Sequence, residues 1–497
     1  MEQTQIFDVA IIGMGPVGAT LANLLAGLGH SVVVLEREKA IFALPRAIHF
    51  DGECMRVFQN IGIAATLLPK IIPSPGMKFV DVAGEPIITW ERSTDLGKHA
   101  WCESYKFYQP ELEQALREQL QHYPRVDVRL RHEVFSVEPQ DDRVTLRFED
   151  TASGKIDALS ARYVIGCDGA RSTVRRFMGV ELNDLQSHKQ WVVVDTVLHQ
   201  DKPELGFHSI QYCDPKRPCT YSRGPGLRRR WEIMLVDGDD AKQVTSDAWL
   251  WQQLQAWITP DEAVLQRAAL YTFHSVVAKQ WRTGRLFIAG DAAHQTPPFM
   301  GQGMAAGIKD AANLAWKLSA VLMGDKDAAL LDTYASERLP HAREFIATAV
   351  KLGNVIQEQR LDDFGEHIGD SLKNFRTPQP HLGAGHFHST PSPHNGEVAP
   401  QCFLRSGERV DDVAPYQAIL LLHPDASATD AACKPDVQMI RTDSDSSLAY
   451  LQHLQARAVL IRPDRYVYGI ASQDSDIVSL LASWQHQCAP QTAAVSV

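Results

Sequence analysis

The sequence predicts an α/β chain of several domains, and three observations carry that prediction. Residues 7–36 read as strand, glycine turn, helix and strand, a βαβ unit of about 30 residues. Residues 190–235 are short alternating stretches (WVVVDTVL, FHSIQYC, RRWEIMLV) that suit an antiparallel sheet. Strand-and-helix patterning resumes at residue 285 and again beyond residue 401. At 497 residues the chain exceeds one hydrophobic core, and domains of roughly 100 to 200 residues give an expectation of about three.

Taken in order, residues 7–12 are β-rich, 18–28 have helical apolar spacing, and 31–35 form a valine run ending at Glu36. The stretch PELEQALREQLQHY at 110–123 puts proline at a helix's first position, where its missing N–H costs nothing. Alternation at 126–130 and 144–148 and an apolar run at 163–167 predict strands. Residues 285–289 read as a strand and 304–322 as a long helix of good formers, so the first domain is discontinuous around the inserted sheet. Residues 376–400 are rich in Pro, Gly and His without periodicity and read as a connector or surface loop. Its His381, His386, His388 and His394 fit no ligand spacing, and no metal is expected. Strands at 418–422 and 458–461 with helices at 446–455 and 476–484 predict a small third α/β domain.

With 44% hydrophobic and 22% charged residues the composition is that of a globular chain. A net charge of −11 repels nucleic acid and anionic lipid, so neither is an expected partner. The eight cysteines are scattered without a CxxC pair and read as reduced thiols. The first apolar run is broken by glycines, far short of the roughly 20 uninterrupted apolar residues of a membrane span, and lacks a basic leader. A cytoplasmic protein is therefore expected.

Gly13-Met14-Gly15-Pro16-Val17-Gly18 is a GxGxxG turn between predicted strand and helix. Its glycines allow a tight turn and close approach to a pyrophosphate, and the helix N-terminus adds partial positive charge. Glu36, followed by Arg37, closes the next strand where a ribose would present its hydroxyls. This unit alone leaves NAD and FAD both open. Two further motifs bear on the choice: Gly166-Cys167-Asp168-Gly169-Ala170-Arg171-Ser172 after a strand, and Gly290-Asp291-Ala292-Ala293-His294 after another. Pro298 then leads into Gly301-Gln302-Gly303-Met304 at a helix start. Either aspartate alone reads equally as a turn or helix cap; their joint placement after apolar strands favours ligand binding.

Together with Pro45-Arg46-Ala47, these motifs, in this order and spacing up to about residue 350, resemble the class A flavoprotein aromatic hydroxylases. The type is that of para-hydroxybenzoate and phenol hydroxylases, and the resemblance is strongest to 3-(3-hydroxyphenyl)propionate hydroxylases. It implies a Rossmann-like, glutathione-reductase-like FAD-binding domain at 1–75, 101–180 and 280–375. An inserted, mainly antiparallel substrate-binding domain would comprise 76–100 and 181–279, followed by a connector at 376–400. A thioredoxin-like C-terminal domain at 401–497 lacks CxxC and is expected to serve as an oligomer contact, with a homodimer the assembly in view. The implied cofactors are FAD and NADH or NADPH, the partners a small aromatic substrate and oxygen, and the reaction ring hydroxylation through a flavin C4a-hydroperoxide. By the same resemblance Asp168 and Gly169 serve FAD and nicotinamide, Asp291 the FAD ribitol, and Arg46 and Gln109 the diphosphate or ribitol. Free amides at Gly301, Gln302 and Gly303 would stabilise negative charge on the reduced ring. The family's usual asparagine is absent from Met304-Ala305-Ala306, which removes a side-chain contact.

A phenol reacts faster as phenolate, so a base or acceptor is expected beside its hydroxyl. Asp51 and His49, two residues apart, are the first candidates, with a surface loop or helix cap as the competing reading. Tyr212 and Tyr221 on the inserted sheet could orient a phenol or be ordinary buried tyrosines. Arg223 and the run Arg228-Arg229-Arg230 could hold a substrate carboxylate or form a solvated hairpin edge. Phe299 and Met300 could pack on the ring or in the core. The rival functions are an FAD oxidoreductase that inserts no oxygen and a non-catalytic flavin redox sensor.

Overall fold

The apolar strand Ile6–Ile12 is paired on both edges, in parallel with Val32–Glu36 and with Lys155–Gly166. In the computed structural model, which describes residues 6–43, 45–358, 375–427 and 436–485, this strand is central to an eight-stranded sheet. The strand order is Arg282–Thr283, Leu286–Ile288, Lys155–Gly166, Ile6–Ile12, Val32–Glu36, Val126–Leu130. An antiparallel pair, His132–Pro139 and Val144–Asp150, extends from the long third member. Helix Pro16–Gly27 packs on helix Gly303–Met323, whose residues 305–319 are all buried. The helix is thus mainly apolar, and its charged Lys309, Asp310 and Lys317 are buried in ion pairs.

A second eight-stranded sheet runs His294–Gln295, Ala263–Ala278, Leu182–Leu198, Arg228–Met234, Cys219–Arg223, Ser209–Tyr212, Gly76–Val80, Pro86–Glu91. It is antiparallel except where Ser209–Tyr212 meets Gly76–Val80. Alternation gives it two unlike faces. Val192, Val194, Tyr221, Trp231 and Ile233 pack with Leu250 and Leu254 of helix Asp247–Leu254. The opposite face carries Asp195, Ser222 and Arg230, which line a cleft with Pro45, Ile48 and Phe107. Three short strands, His49–Asp51, Ser104–Lys106 and Ile72–Pro73, form a small sheet beside that face.

The fourth sheet, in the order Val437–Arg441, Ala418–Leu422, Ala458–Ile461, Val467–Ala471, has its own apolar core with helix Asp445–His453. The first and last of these strands, and helices Gly52–Ile61 and Thr333–Glu358, escape the sequence reading. Residues 376–400, expected as a surface connector, are irregular but packed. His386 lies among Trp316, Tyr468 and Trp484, and the backbone amides of His388 and Gly396 bond to the carbonyls of Tyr468 and Val467. The segment lacks periodicity because it borrows its hydrogen bonds from the neighbouring strand.

Six cysteines are free thiols, while Cys433 and Cys488 lie outside the described residues. Among the described residues no helix is long and apolar enough to cross a membrane, and no cluster of three His, Cys, Asp or Glu side chains could hold a metal ion.

Candidate active site

The three glycine motifs interlock through backbone. Gly13 takes φ +97° and donates its N–H to the Leu35 carbonyl at 2.8 Å. A Cβ there would stand 2.6 Å from the Cys167 carbonyl oxygen, and one on Gly18 would stand 2.1 Å from the Gly13 oxygen. Only glycine permits this closeness. Val17 fills the gap toward the other motif: a Cβ on Gly307 would meet its Cγ2 at 2.5 Å, and one on Gly290 would meet it at 3.0 Å. Arg175 ties the second and third motifs, donating to the carbonyls of Ala170 at 2.6 Å and Ala292 at 2.8 Å.

The cradle leaves polar groups facing outward from it. Glu36 accepts the Met14 N–H at 2.6 Å and the Glu38 N–H at 2.9 Å, so its carboxylate fixes the glycine turn and keeps lone pairs for a ribose. Arg37 beside it is exposed, 3.4 Å from Glu38. Asp168 caps helix Thr173–Met178, accepting the Thr173 N–H at 2.6 Å through Oδ2, while its buried Oδ1 has no partner. Burial raises its pKa. Gly169 beside it takes φ +78° with open space where a Cβ would point. Asp291 has no protein hydrogen bond among the described residues and is accessible, yet protein surrounds it closely enough that desolvation raises its carboxyl. Such a carboxylate faces a hollow rather than bulk water. A ligand rich in hydroxyl groups fits there, and a pyrophosphate fits the open space over Gly15 at the start of helix Pro16–Gly27.

The Arg46 segment joins this cradle to the cleft. Gln109 accepts the Arg46 and Ala47 N–H groups at 2.9 and 2.7 Å, and its amide donates to Glu113 at 2.8 Å. Both ends of its carboxamide are therefore engaged, so it holds the segment that presents the exposed Arg46. From the sheet, Arg230 donates to the carbonyls of Pro45 and Arg46 at 2.5 and 2.8 Å while pairing with Asp195 at 2.7 Å.

Pro298 opens a single 3-10 turn, Pro298–Met300, that ends at Gly301 with φ +63°. The Gly301 N–H is taken by the Pro298 carbonyl at 2.8 Å, contrary to the expectation that it is free. The free donors are shifted one residue, to Gln302, Gly303 and Met304, ahead of the first helical bond from Ala306 to Gln302. The Gly301 carbonyl is held by His49 Nδ1 at 3.3 Å, and His49 Nε2 accepts from Arg92 at 3.0 Å. Burial, then the Arg92 charge, keep this imidazole neutral. With both nitrogens occupied, His49 is a strut between the turn and the second sheet.

Asp51 is corrected as a base. Its Oδ1 caps helix Gly52–Ile61 by accepting the Cys54 N–H at 3.0 Å, and its Oδ2 pairs with Lys309 Nζ at 2.8 Å. Against the upward push of burial, the Lys309 ammonium holds this carboxyl well below the usual carboxylate range, which makes it a poor proton acceptor. Tyr212 and Tyr221 are also corrected: both lie on the sheet face away from the cleft, Tyr212 bonded to Trp257 and Tyr221 packed on Trp231. Within the arginine run Arg229 pairs with Asp201 at 2.6 Å and Arg230 with Asp195, both arginines being buried rather than at a solvated edge, while Arg228 lines the cleft and lies over the Tyr108 ring. Arg223 likewise pairs with Asp201 at 3.0 Å. Phe299 and Met300 belong to a core cluster with Trp191, Trp90 and Phe345.

Sequence reasoning missed the groups that sit on the cleft side. Lys106 ends the short strand Ser104–Lys106, Arg92 follows the strand Pro86–Glu91, and Glu232 shares the alternation phase of Arg230 on Arg228–Met234, so only Glu232 carries a signal in the sequence pattern. Also missed is the buried trio in which Asp310 pairs with His294 at 2.7 Å and Arg338 at 2.9 Å and accepts the Gly290 N–H at 3.2 Å.

The family described as FAD binding domain matches residues 6–349, which span all three motifs. The chain belongs to this family of FAD-binding proteins, and FAD is its cofactor. It is 43% identical over 350 residues to a protein of Rhodococcus jostii (strain RHA1) named probable NADH-specific resorcinol 4-hydroxylase, covering 70% of this chain and 65% of that one. It is 37% identical over 354 residues to a 3-(3-hydroxy-phenyl)propionate/3-hydroxycinnamic acid hydroxylase of Mycobacterium sp. (strain JLS), covering 70% and 60%. The chain thus matches less than two thirds of the length of these relatives. Its fold is that of the flavin-dependent monooxygenase PieE, solved with FAD and substrate, at a TM-score of 0.83 over 96% of this chain and 98% of that one with 20% identity.

Proposed function

We propose that the chain is a single-component FAD-dependent monooxygenase that uses NADH or NADPH and oxygen to hydroxylate a small phenol of the resorcinol or 3-(3-hydroxyphenyl)propionate class. One observation carries the reading. Residues 45–49 are the junction of the molecule: Gln109 and Arg230 hold the segment that presents Arg46, His49 holds the Gly301 turn, and Pro45 and Ile48 line the cleft on the polar face of the second sheet. A flavin held by the three motifs would therefore share a wall with the cleft on the second sheet. The names of the two relatives agree with this chemistry.

Bound FAD supplies hydride acceptance from the nicotinamide and activation of oxygen. The chain's own residues do the rest. Asp291 accepts from hydroxyl groups of the cofactor, Glu36 from a ribose, and the amides of Gln302, Gly303 and Met304 stabilise negative charge arriving at the helix N-terminus. His49, neutral and doubly bonded, fixes the turn that presents those amides. The apolar cluster of Phe299, Met300 and Trp191 packs under the turn that presents those amides and keeps water from it. In this reading the first sheet is the glutathione-reductase-like FAD domain and the second the substrate domain. The fourth sheet is a thioredoxin-like domain available for a homodimer contact, in a cytoplasmic enzyme.

The test is a panel of resorcinols, hydroxyphenylpropionates, benzoates and simple phenols with NADH and NADPH. Accelerated nicotinamide oxidation by at least one phenol is expected. Oxidation at one unchanged rate across the panel would refute the proposal.

A further inference from the structure

Neither Asp51 nor His49 is free to take a phenol's proton, yet the cleft side of the molecule contains a basic group with no other employment. Lys106 is 6% exposed and has no ion-pair partner among the described residues. Its Nζ makes one hydrogen bond, to Ser209 Oγ at 2.7 Å. Ser209 Oγ lies 3.0 Å from Ser222 Oγ, and Ser222 lines the cleft with Pro45, Ile48 and Phe107. Lys106 sits directly across the strand pair from His49, whose ring holds the Gly301 turn. A continuous chain of exchangeable protons therefore runs from the cleft wall to a buried amine. Burying an ammonium without a carboxylate is costly, and such a residue in a cleft is a candidate for function rather than packing.

We propose that Ser222, Ser209 and Lys106 form the route by which a phenol in the cleft loses its proton, with Lys106 as its terminal acceptor. The inference rests on the aromatic-hydroxylase reading. The step balances without electron transfer. The phenol O–H breaks as its proton passes to Ser222 Oγ, the Ser222 hydroxyl proton passes to Ser209 Oγ, and the Ser209 proton passes to the lone pair of neutral Lys106. Phenolate and ammonium result, and the reverse transfer resets the chain after product leaves. Ser222 is the group that touches substrate; Lys106 acts through the two hydroxyls.

The surroundings suit that role. Burial, then the neighbouring Arg92, push the Lys106 ammonium down to about 7; Glu232 opposes them, and Arg230 adds to the lowering. Glu232 is itself raised by burial, and His49 opposite is neutral, so neither supplies a full compensating charge. Near neutral pH the amine thus holds a lone pair for part of the population, whereas an unburied lysine would hold almost none. Proton acceptance switches on as pH rises through about 7 and is lost below it.

The test uses the FAD-loaded full chain and 3-nitrophenol, whose phenolate absorbs visible light, at a pH between the ionisation of Lys106 and that of the free phenol. The wild type is expected to bind it with the phenolate band and without releasing a proton to an indicator dye, because the proton stays on Lys106. Lys106→Met is expected to bind it without the band. Lys106→Arg, which keeps the charge but cannot act as a base, is expected to show the band only with release of about one proton per ligand. Ser209→Ala, a small change that leaves the amine in place, is expected to slow appearance of the band roughly tenfold or more. FAD retention by each variant checks its folding. A band of wild-type strength in Lys106→Met, or about one proton released by the wild type itself, would overturn this inference and leave the hydroxylase reading standing. Failure of every phenol to perturb the wild-type spectrum would overturn both.

Discussion

Gly18 has no room for a methyl group, because the position it would occupy is 2.1 Å from the Gly13 carbonyl oxygen. Gly18→Ala must push apart the turn that faces the cofactor, and FAD affinity is expected to fall roughly tenfold or more, about 1.4 kcal/mol. Flavin fluorescence titration reads this directly, and an affinity within about twofold of the wild type would count against the cradle. Lys309 is a second residue-scale case, since it neutralises Asp51 at 2.8 Å and Glu53 at 2.9 Å in a buried setting. Lys309→Met strands two carboxylates and is expected to cost about 3–5 kcal/mol of stability in denaturant unfolding. The carboxyl of Asp51 is depressed in the folded state, so its contribution is present at neutral pH and is lost as pH falls below the ordinary carboxylate range. The glycines and aspartates of the three motifs were readable in the sequence because their chemistry is local to a turn. The occupation of Asp51 was not, because Lys309 lies 258 residues away.

At the scale of elements, one alternation decides which side chains of the second sheet face the cleft. Ser209 and Ser222 share the cleft phase of the second sheet, whereas Tyr212 and Tyr221 share the phase packed on helix Asp247–Leu254. Tyr212→Phe and Tyr221→Phe are therefore expected to leave kcat/KM for the phenol within about twofold, since each removes a hydroxyl remote from the cleft. A loss of roughly a hundredfold in either would mean the faces are assigned the wrong way round. The period of two is written in the sequence itself. Which face turns inward is not, because that depends on Arg230 reaching Pro45, 185 residues distant. Helix Gly303–Met323 shows the opposite balance. Its glycine entry and apolar body were legible, and only the one-residue shift of its free amides, caused by the bond from Gly301 to Pro298, was not.

The whole molecule is tied together by buried charge. Glu337 pairs with Lys317 and with Arg462, each at 2.7 Å, and Arg462 pairs with Asp464 at 2.6 Å, all essentially without solvent contact. These residues come from two helices of the FAD-binding region and from the fourth sheet's connecting turn, so they clamp the C-terminal unit onto the rest. Glu337→Gln leaves two cations facing a neutral amide and is expected to destabilise the chain by about 3–5 kcal/mol, with a lower thermal unfolding midpoint. An unchanged midpoint would show that the clamp carries no net stability. None of this was legible in the sequence, where Lys317, Glu337 and Arg462 lie far apart; the packed segment 376–400 escaped for the same reason, its partners being remote. The central claim, that the flavin cradle and the polar cleft are one oxygenating site, is tested most directly by supplying isotopically heavy oxygen gas with NAD(P)H and resorcinol or 3-(3-hydroxyphenyl)propionate. The account predicts a hydroxylated product carrying one heavy oxygen atom, and nicotinamide consumed with only hydrogen peroxide formed from every phenol would contradict it.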